Sequence, residues 1–222
     1  SRSTAPDELF LKKVRQLADD KNIVLIFDEC TSGFRQCFGG IHLLTGVDPD
    51  IAMFGKALGN GYAITAVVGK REVMEAAQTS FISSTFWTER IGPAAALTSL
   101  DVMQELSSWQ VITDTGKSIK KRWQKLADDY DICINQWGLP SLAGFSFESK
   151  NHLEYKTLIS QELLKKGFLA GNCVYVSVAH SESHIESYFE HLSDVFEKIK
   201  ECEEGRDINS LLEGPVCHSG FK

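Results

Sequence analysis

Two charged side chains stand where apolar runs end, and their types suggest chemistry. Asp28 closes the run Ile23-Val24-Leu25-Ile26-Phe27, and Lys56 follows the shorter run Ile51-Ala52-Met53-Phe54 across a single glycine, Gly55. Five consecutive apolar residues without alternation predict a strand covered on both faces, as in a parallel α/β sheet, and the carboxyl edge of such a sheet is where ligands sit. A lysine at that edge, in a turn whose glycines (Gly55, Gly59, Gly61) let the backbone approach a ligand closely, is placed to form an imine with a carbonyl compound. The ordinary alternatives are an aspartate capping the next turn and a solvated lysine.

The elements that must position this pair read as follows. Ser3 to Glu8 is a capping stretch that opens a helix from Asp7 to Asp20, with Leu9, Phe10, Val14 and Leu17 on one face, feeding the strand at Ile23. Gly39-Gly40 and Gly46-Val47-Asp48-Pro49-Asp50 supply loop chemistry between the two strands. Ile64 to Val68 predicts a further buried strand, Lys70 to Gln78 a short helix, and Pro93 to Leu106 and Val111 to Asp128 two longer ones. Lys117, Lys120, Lys121 and Lys125 give the last of these a basic face, read as solvated because Asp128, Asp129 and Asp131 adjoin it. Beyond Ile132 the texture changes to a strand at Leu142–Phe147, a helix at Leu153–Lys166, a strand at Cys173–Val178, a long amphipathic helix at Ser183–Glu203 and an irregular tail. His180 and His184 are four apart, but only His184 falls clearly within a helix, and both read as surface histidines with no metal site implied.

Composition narrows the function classes. The 222 residues are 43% hydrophobic and 24% charged, an ordinary globular balance, and the net charge of −7 argues against a general affinity for nucleic acid or anionic membrane. Six cysteines are scattered without a CxxC pair, which indicates neither a zinc site nor a redox dithiol and accords with free thiols in the cytoplasm. No stretch approaches ~20 apolar residues, and the amino terminus has no signal-peptide pattern.

Four stretches in order carry a resemblance: LIFDECTSGFR (Leu25 to Arg35), GVDPDIAMFGKALGNGY (Gly46 to Tyr62), AVVGKREVM (Ala66 to Met74) and STFWTERIGPAAAL (Ser84 to Leu97). Together they resemble the class III, fold-type I, pyridoxal-phosphate-dependent aminotransferases, the group that includes glutamate-1-semialdehyde aminomutases. The resemblance implies an α/β fold with two parts. Residues 1–110 would form the lysine-bearing part of the large cofactor-binding domain, and residues 111–222 a small α+β carboxyl-terminal domain.

It also implies roles. Lys56 matches the family lysine that binds pyridoxal 5'-phosphate (PLP) as an internal aldimine, and Asp28 matches the carboxylate that keeps the pyridine nitrogen protonated, so that the ring acts as an electron sink. Cys30 stands where the family often has valine, against the cofactor ring, where a small thiol fills the space. A threonine near the fourth motif would reach the cofactor phosphate of the neighbouring subunit. The spacing to Pro93 selects Thr88, the Thr-Phe dipeptide selects Thr85, and the alternative for either is a helix-capping hydroxyl. Arg35 is read either as an ion-pair partner of Asp28 or Glu29 or as a contact for a substrate carboxylate. The implied partners are a small-molecule amino donor and a carbonyl acceptor, in a homodimer with a shared active site. Family members carry the phosphate loop and the ring-stacking aromatic upstream of the point where this chain begins. The sequence therefore reads as a carboxyl-terminal half, either contributing to a complete site or unable to hold cofactor alone.

Overall fold

A computed structural model describes residues 7–86 and 88–220, which divide into two compact units, one running to Val111 and the other starting at Ile112. In the first unit, helix α1 (Glu8–Asp20) starts on the Asp7 side chain, which accepts the Leu9 N–H at 2.9 Å. It ends where Asn22 turns left-handed (φ 52°) and Ile23 N–H closes back on the Ala18 carbonyl at 2.8 Å. Those bonds tie residue 23 to the helix rather than to the sheet. Strand β1 is consequently shorter than the apolar run that announced it, spanning only Ile26–Asp28.

β1 pairs in parallel with β2 (Ile51–Phe54), Asp28 lying opposite Met53, and β2 pairs antiparallel with β3 (Ala66–Gly69). The sheet, expected to be parallel at β1, is parallel there and mixed as a whole. The expected burial on both faces fails. Ile23, Val24 and Ile26 are 56%, 46% and 51% exposed, and Val67 and Val68 are exposed on β3. Among the described residues β1 has one strand neighbour, β2, and stands at the edge of the sheet. Helix α1 is turned differently from its apolar pattern. Ala18 is buried and Arg15 is directed to Asp50, while Leu9, Phe10 and Leu17 are exposed.

Asp50, buried at the start of β2, holds these elements together. Its Oδ2 accepts from Leu25 N–H at 2.8 Å and from Arg15 Nη1 at 3.0 Å, and its Oδ1 pairs with Lys70 Nζ at 2.7 Å. These partners hold its carboxyl well below the usual carboxylate range, the Lys70 bond acting most strongly.

After α2 (His42–Thr45), between β1 and β2, and α3 (Arg71–Met74), after β3, the chain enters α4 (Ile91–Leu106) and α5 (Ser108–Asp129). The second unit starts inside α5. It adds an antiparallel pair, β4 (Ile134–Trp137) and β5 (Gly144–Phe147), and helices α6 (His152–Lys165) and α7 (Glu182–Glu203). Its core is fully buried at Trp123, Phe145, Tyr155, Leu158, Leu192, Phe196 and Ile199. Helix α6 stops at left-handed Gly167 (φ 85°), with Phe168 N–H returning to the Leu163 carbonyl at 3.0 Å.

Two sequence expectations need correction in this unit. β4 was not anticipated, because Ile134–Trp137 has only two apolar residues in four. Residues 173–178 do not form a strand. They run beside β5 with a single bridge at Cys173, and Val174 and Val176 donate to the Ala143 and Ser141 carbonyls at 2.8 and 2.9 Å. The tail beyond Ser210 is irregular, as expected, and is packed on α6: Gln161 bonds Leu211 and Glu213, and Cys217 N–H donates to Thr157 Oγ1 at 3.0 Å.

Candidate active site

The parallel pairing of β1 and β2 points both strands the same way, so the segments that follow them emerge at one edge of the sheet. Glu29 N–H donates to the Met53 carbonyl at 2.8 Å, which keeps the two chains together one residue past β1. Beyond this point lie Asp28-Glu29-Cys30-Thr31 on one side and Gly55-Lys56 on the other. The Asp28 carboxylate is exposed and accepts the Cys30 N–H at 3.0 Å.

Lys56 opens a 3-10 turn, Lys56–Leu58, with a left-handed backbone (φ 45°) that is uncommon for a residue with a side chain. Strain of this kind persists only where the surroundings enforce it, and it concentrates at functional positions. Its Nζ donates to Thr31 Oγ1, so the amine is held against the loop that carries Asp28. Cys30 lies between them, half-buried, its Sγ 3.5 Å from where a Cβ on Gly55 would stand. Burial pushes the Cys30 thiol up; the Asp28 carboxylate adds to this and the Lys56 ammonium opposes it.

Asp28, Cys30 and Lys56 are therefore gathered at one edge. Thr85 and Thr88 both lie exposed in the turn before α4, and the hydroxyl that meets the Lys56 amine is neither of them but Thr31. Helix α4 packs against the Lys56–Leu58 turn, with Gly92 so close to the Ala63 carbonyl that a Cβ would lie 2.9 Å from it. The amino end of α4 is capped by neither threonine. The Glu89 carboxylate takes the Ile91 N–H, and the Gly92 N–H at 3.0 Å, so a carboxylate rather than either threonine caps the helix.

Glu29, considered from the sequence only as a partner for Arg35, is 2% exposed. Its Oε1 accepts the His42 N–H and faces His42 Nδ1, both at 3.1 Å, and its Oε2 accepts from Ser32 Oγ. The available signal was a second acid directly after Asp28, followed by a serine at the third position. Arg35 Nε donates to the Thr31 carbonyl at 2.8 Å, a main-chain contact that the ion-pair reading had not considered. In the second unit, His184 Nδ1 meets Ser181 Oγ at 2.9 Å, and His180 Nδ1 accepts from Ser177 N–H at 3.0 Å. Among the described residues no three His, Cys, Asp or Glu side chains gather as a metal site, and no helix is long and apolar enough to cross a membrane.

The family description "Aminotransferase class-III" matches residues 3–202. The chain belongs to the class III aminotransferases. It is 36% identical over 154 residues to the 3-aminobutyryl-CoA aminotransferase of Cloacimonas acidaminovorans, covering 69% of this chain and 37% of that protein. It is 34% identical over 204 residues to the acetylornithine aminotransferase of Methanocaldococcus jannaschii, covering 87% of this chain and 49% of that one. The glutamate-1-semialdehyde 2,1-aminomutase of the same organism is 28% identical over 212 residues. Among solved structures, the PLP internal aldimine form of the Sphingopyxis FumI protein superimposes with a TM-score of 0.83 at 19% identity, covering 96% of this chain and 52% of that one. An omega-transaminase from Sphaerobacter thermophilus gives 0.78 at 20% identity, covering 89% of this chain and 49% of that one. The fold is therefore that of the fold-type I transaminases, and the chain spans about half the length of most of the curated relatives it matches.

Proposed function

We propose that this chain carries the lysine-bearing side of a PLP site that transfers an amino group between an amine or amino acid and a carbonyl compound, or moves it within one molecule. The observation that carries this reading is the parallel β1/β2 pair, which delivers a carboxylate and an amine to one sheet edge and links them through Cys30 and Thr31. The donor set fits PLP: an amine for its aldehyde and a carboxylate for its ring nitrogen. When bound, PLP supplies an electron-withdrawing ring that stabilises negative charge on the substrate carbon.

The chain's own residues then have distinct tasks. The Lys56 amine would hold the cofactor through its aldehyde, and its Nζ would carry a proton to or from the substrate carbon. The Asp28 carboxylate holds a proton on the ring nitrogen. Cys30 fills the space beside the ring, close to Gly55. Thr88, or Thr85 in its place, donates to the cofactor phosphate of a neighbouring subunit. Residues 1–110 belong to the cofactor-binding domain on this reading, and residues 111–222 to the small carboxyl-terminal one.

A homodimer with a shared site belongs to the same proposal. It is supported by the apolar surface around the turn that carries both threonines, where Phe81, Phe86, Ile91 and Leu97 are 96%, 73%, 65% and 66% exposed. A cytoplasmic location is supported by six cysteines that are all unpaired. The test is covalent. In a protein that carries the whole site, borohydride reduction with PLP followed by peptide mapping is expected to mark Lys56, and label on any other lysine overturns the assignment.

A further inference from the structure

Glu29 is a buried acid that the proposed chemistry does not use, and every polar group it has is engaged. Its N–H reaches the Met53 carbonyl and its carbonyl accepts the Gly33 N–H, both at 2.8 Å. Its carboxylate reaches in two directions, with one oxygen on Ser32 Oγ and the other on the N–H and Nδ1 of His42. The glycines around it have no room for side chains. A Cβ on Gly40 would lie 2.9 Å from Glu29 Oε1, and one on Gly33 2.8 Å from the Glu29 carbonyl. The four-residue loop closed by these contacts contains Thr31, whose carbonyl is held by Arg35 Nε at 2.8 Å and whose hydroxyl accepts from Lys56 Nζ. Thr31 is thus held from both neighbouring directions, and its hydroxyl is left facing the amine.

We infer that Glu29 is a positioning residue for the Lys56 amine: by clamping Ser32 and His42 it fixes the loop that sets Thr31 Oγ1 against Lys56 Nζ. The functional weight of this device rests on the reading of Lys56 as the reactive lysine, but its geometry does not. A buried carboxylate that satisfies three donors has one low-energy arrangement, so the loop it closes is rigid. A lysine on a flexible stem loses much rotamer freedom when held, and a rigid acceptor is what makes the held position the populated one.

The experiment reads the amine without PLP. The full 222-residue chain is acetylated with limiting N-hydroxysuccinimidyl acetate, and the rate at Lys56 is measured by mass spectrometry against the exposed Lys12 of the same molecule. The bond to Thr31 holds the amine in one orientation against the loop, so the reagent meets it less often than a freely rotating amine. Thr31→Val is therefore expected to raise the relative Lys56 rate about fivefold, the equivalent of the ~1 kcal/mol that one hydrogen bond contributes. Glu29→Ala is expected to give a similar increase, and Glu29→Gln, which keeps an oxygen for the His42 N–H and a polar partner for Ser32, to restore the wild-type rate within about twofold. In a Thr31→Val background, Glu29→Ala is expected to add nothing further.

A Glu29→Ala protein that folds with Lys56 at its wild-type rate overturns the inference, as do Glu29 and Thr31 effects that simply multiply. If Glu29→Ala does not fold, Ser32→Ala removes one arm of the clamp at little change in volume. A rise of about twofold there supports the inference and an unchanged rate overturns it. Failure of PLP to label Lys56 would instead strike the proposed function and leave this result standing.

Discussion

Asp50 offers the sharpest test of how the β1/β2 edge is held, because its three partners differ in how much they depend on its charge. Lys70 is 45% exposed at its side chain, so solvent screens its pair with Oδ1 and little of the stability rests on it. Arg15 is 17% exposed and keeps Asp19 at 2.7 Å, so it needs Asp50 less as a counter-charge than as an acceptor. The Leu25 N–H, at 2.8 Å from Oδ2, depends on that one oxygen. Asp50→Asn can turn its amide nitrogen toward solvent-facing Lys70 and keep its oxygen on Leu25 and Arg15. The expected loss is about 1–2 kcal/mol. Asp50→Ala strands the Leu25 N–H and the partly buried Arg15 guanidinium together, and about 3–5 kcal/mol is expected.

Hydrogen exchange reads this locally, since Asp50 N–H and Ile51 N–H both donate to the Leu25 carbonyl, at 2.8 and 3.2 Å. Protection of these amides is expected to fall about tenfold in the Asn variant and by more than about a hundredfold in the Ala variant. Equal losses in the two variants would mean that charge, not the Leu25 bond, dominates; unchanged protection in Ala would refute the hub altogether. The pH dependence has a definite sign. The folded carboxyl is held below its unfolded value, so its contribution is fully present above about pH 4 and is lost as pH falls from there through the folded-state value. Protection of the same amides should fall across that acid range in the wild type and remain flatter in Asp50→Asn.

Asp28→Asn keeps the shape at β1 but removes the charge; in a protein that carries the whole site, the proton-abstraction step should slow by orders of magnitude while PLP still binds, and a near-normal single-turnover rate would assign the task to another group. These 222 residues alone should take up PLP weakly and associate, because Asp28 and Lys56 are exposed and the apolar residues of α1, β1 and α4 are uncovered; stoichiometric uptake by a monodisperse monomer, in an absorbance titration paired with light scattering, would contradict this. Gly116→Ala should lower thermal stability although alanine favours a helix by about 1 kcal/mol, since a Cβ there overlaps the Pro140 carbonyl and overpacking costs about 1–3 kcal/mol or more; a raised Tm would show that the turn at Pro140 moves aside freely.

What the sequence determined by itself is the local chemistry and its order along the chain. The run ending at Asp28, the glycine-flanked Lys56 and the strand Ile51–Phe54 between them could be read directly, because strand termini and glycine turns are encoded by neighbouring residues. The long helices were legible for the same reason, their 3.6-residue periodicity and caps being local. Tertiary structure alone decided which faces are covered. Five apolar residues at Ile23–Phe27 look the same to a reader whether or not a layer packs on them, and here Ile23, Val24 and Ile26 face outward. It also decided which distant polar groups meet: Asp50 with Arg15 and Lys70, Glu29 with His42, Thr31 with Lys56. None of these pairs is signalled by spacing, because each is set by strand pairing and loop closure across 13 to 35 residues of chain, and a hydrogen bond depends on where its partner ends up in space.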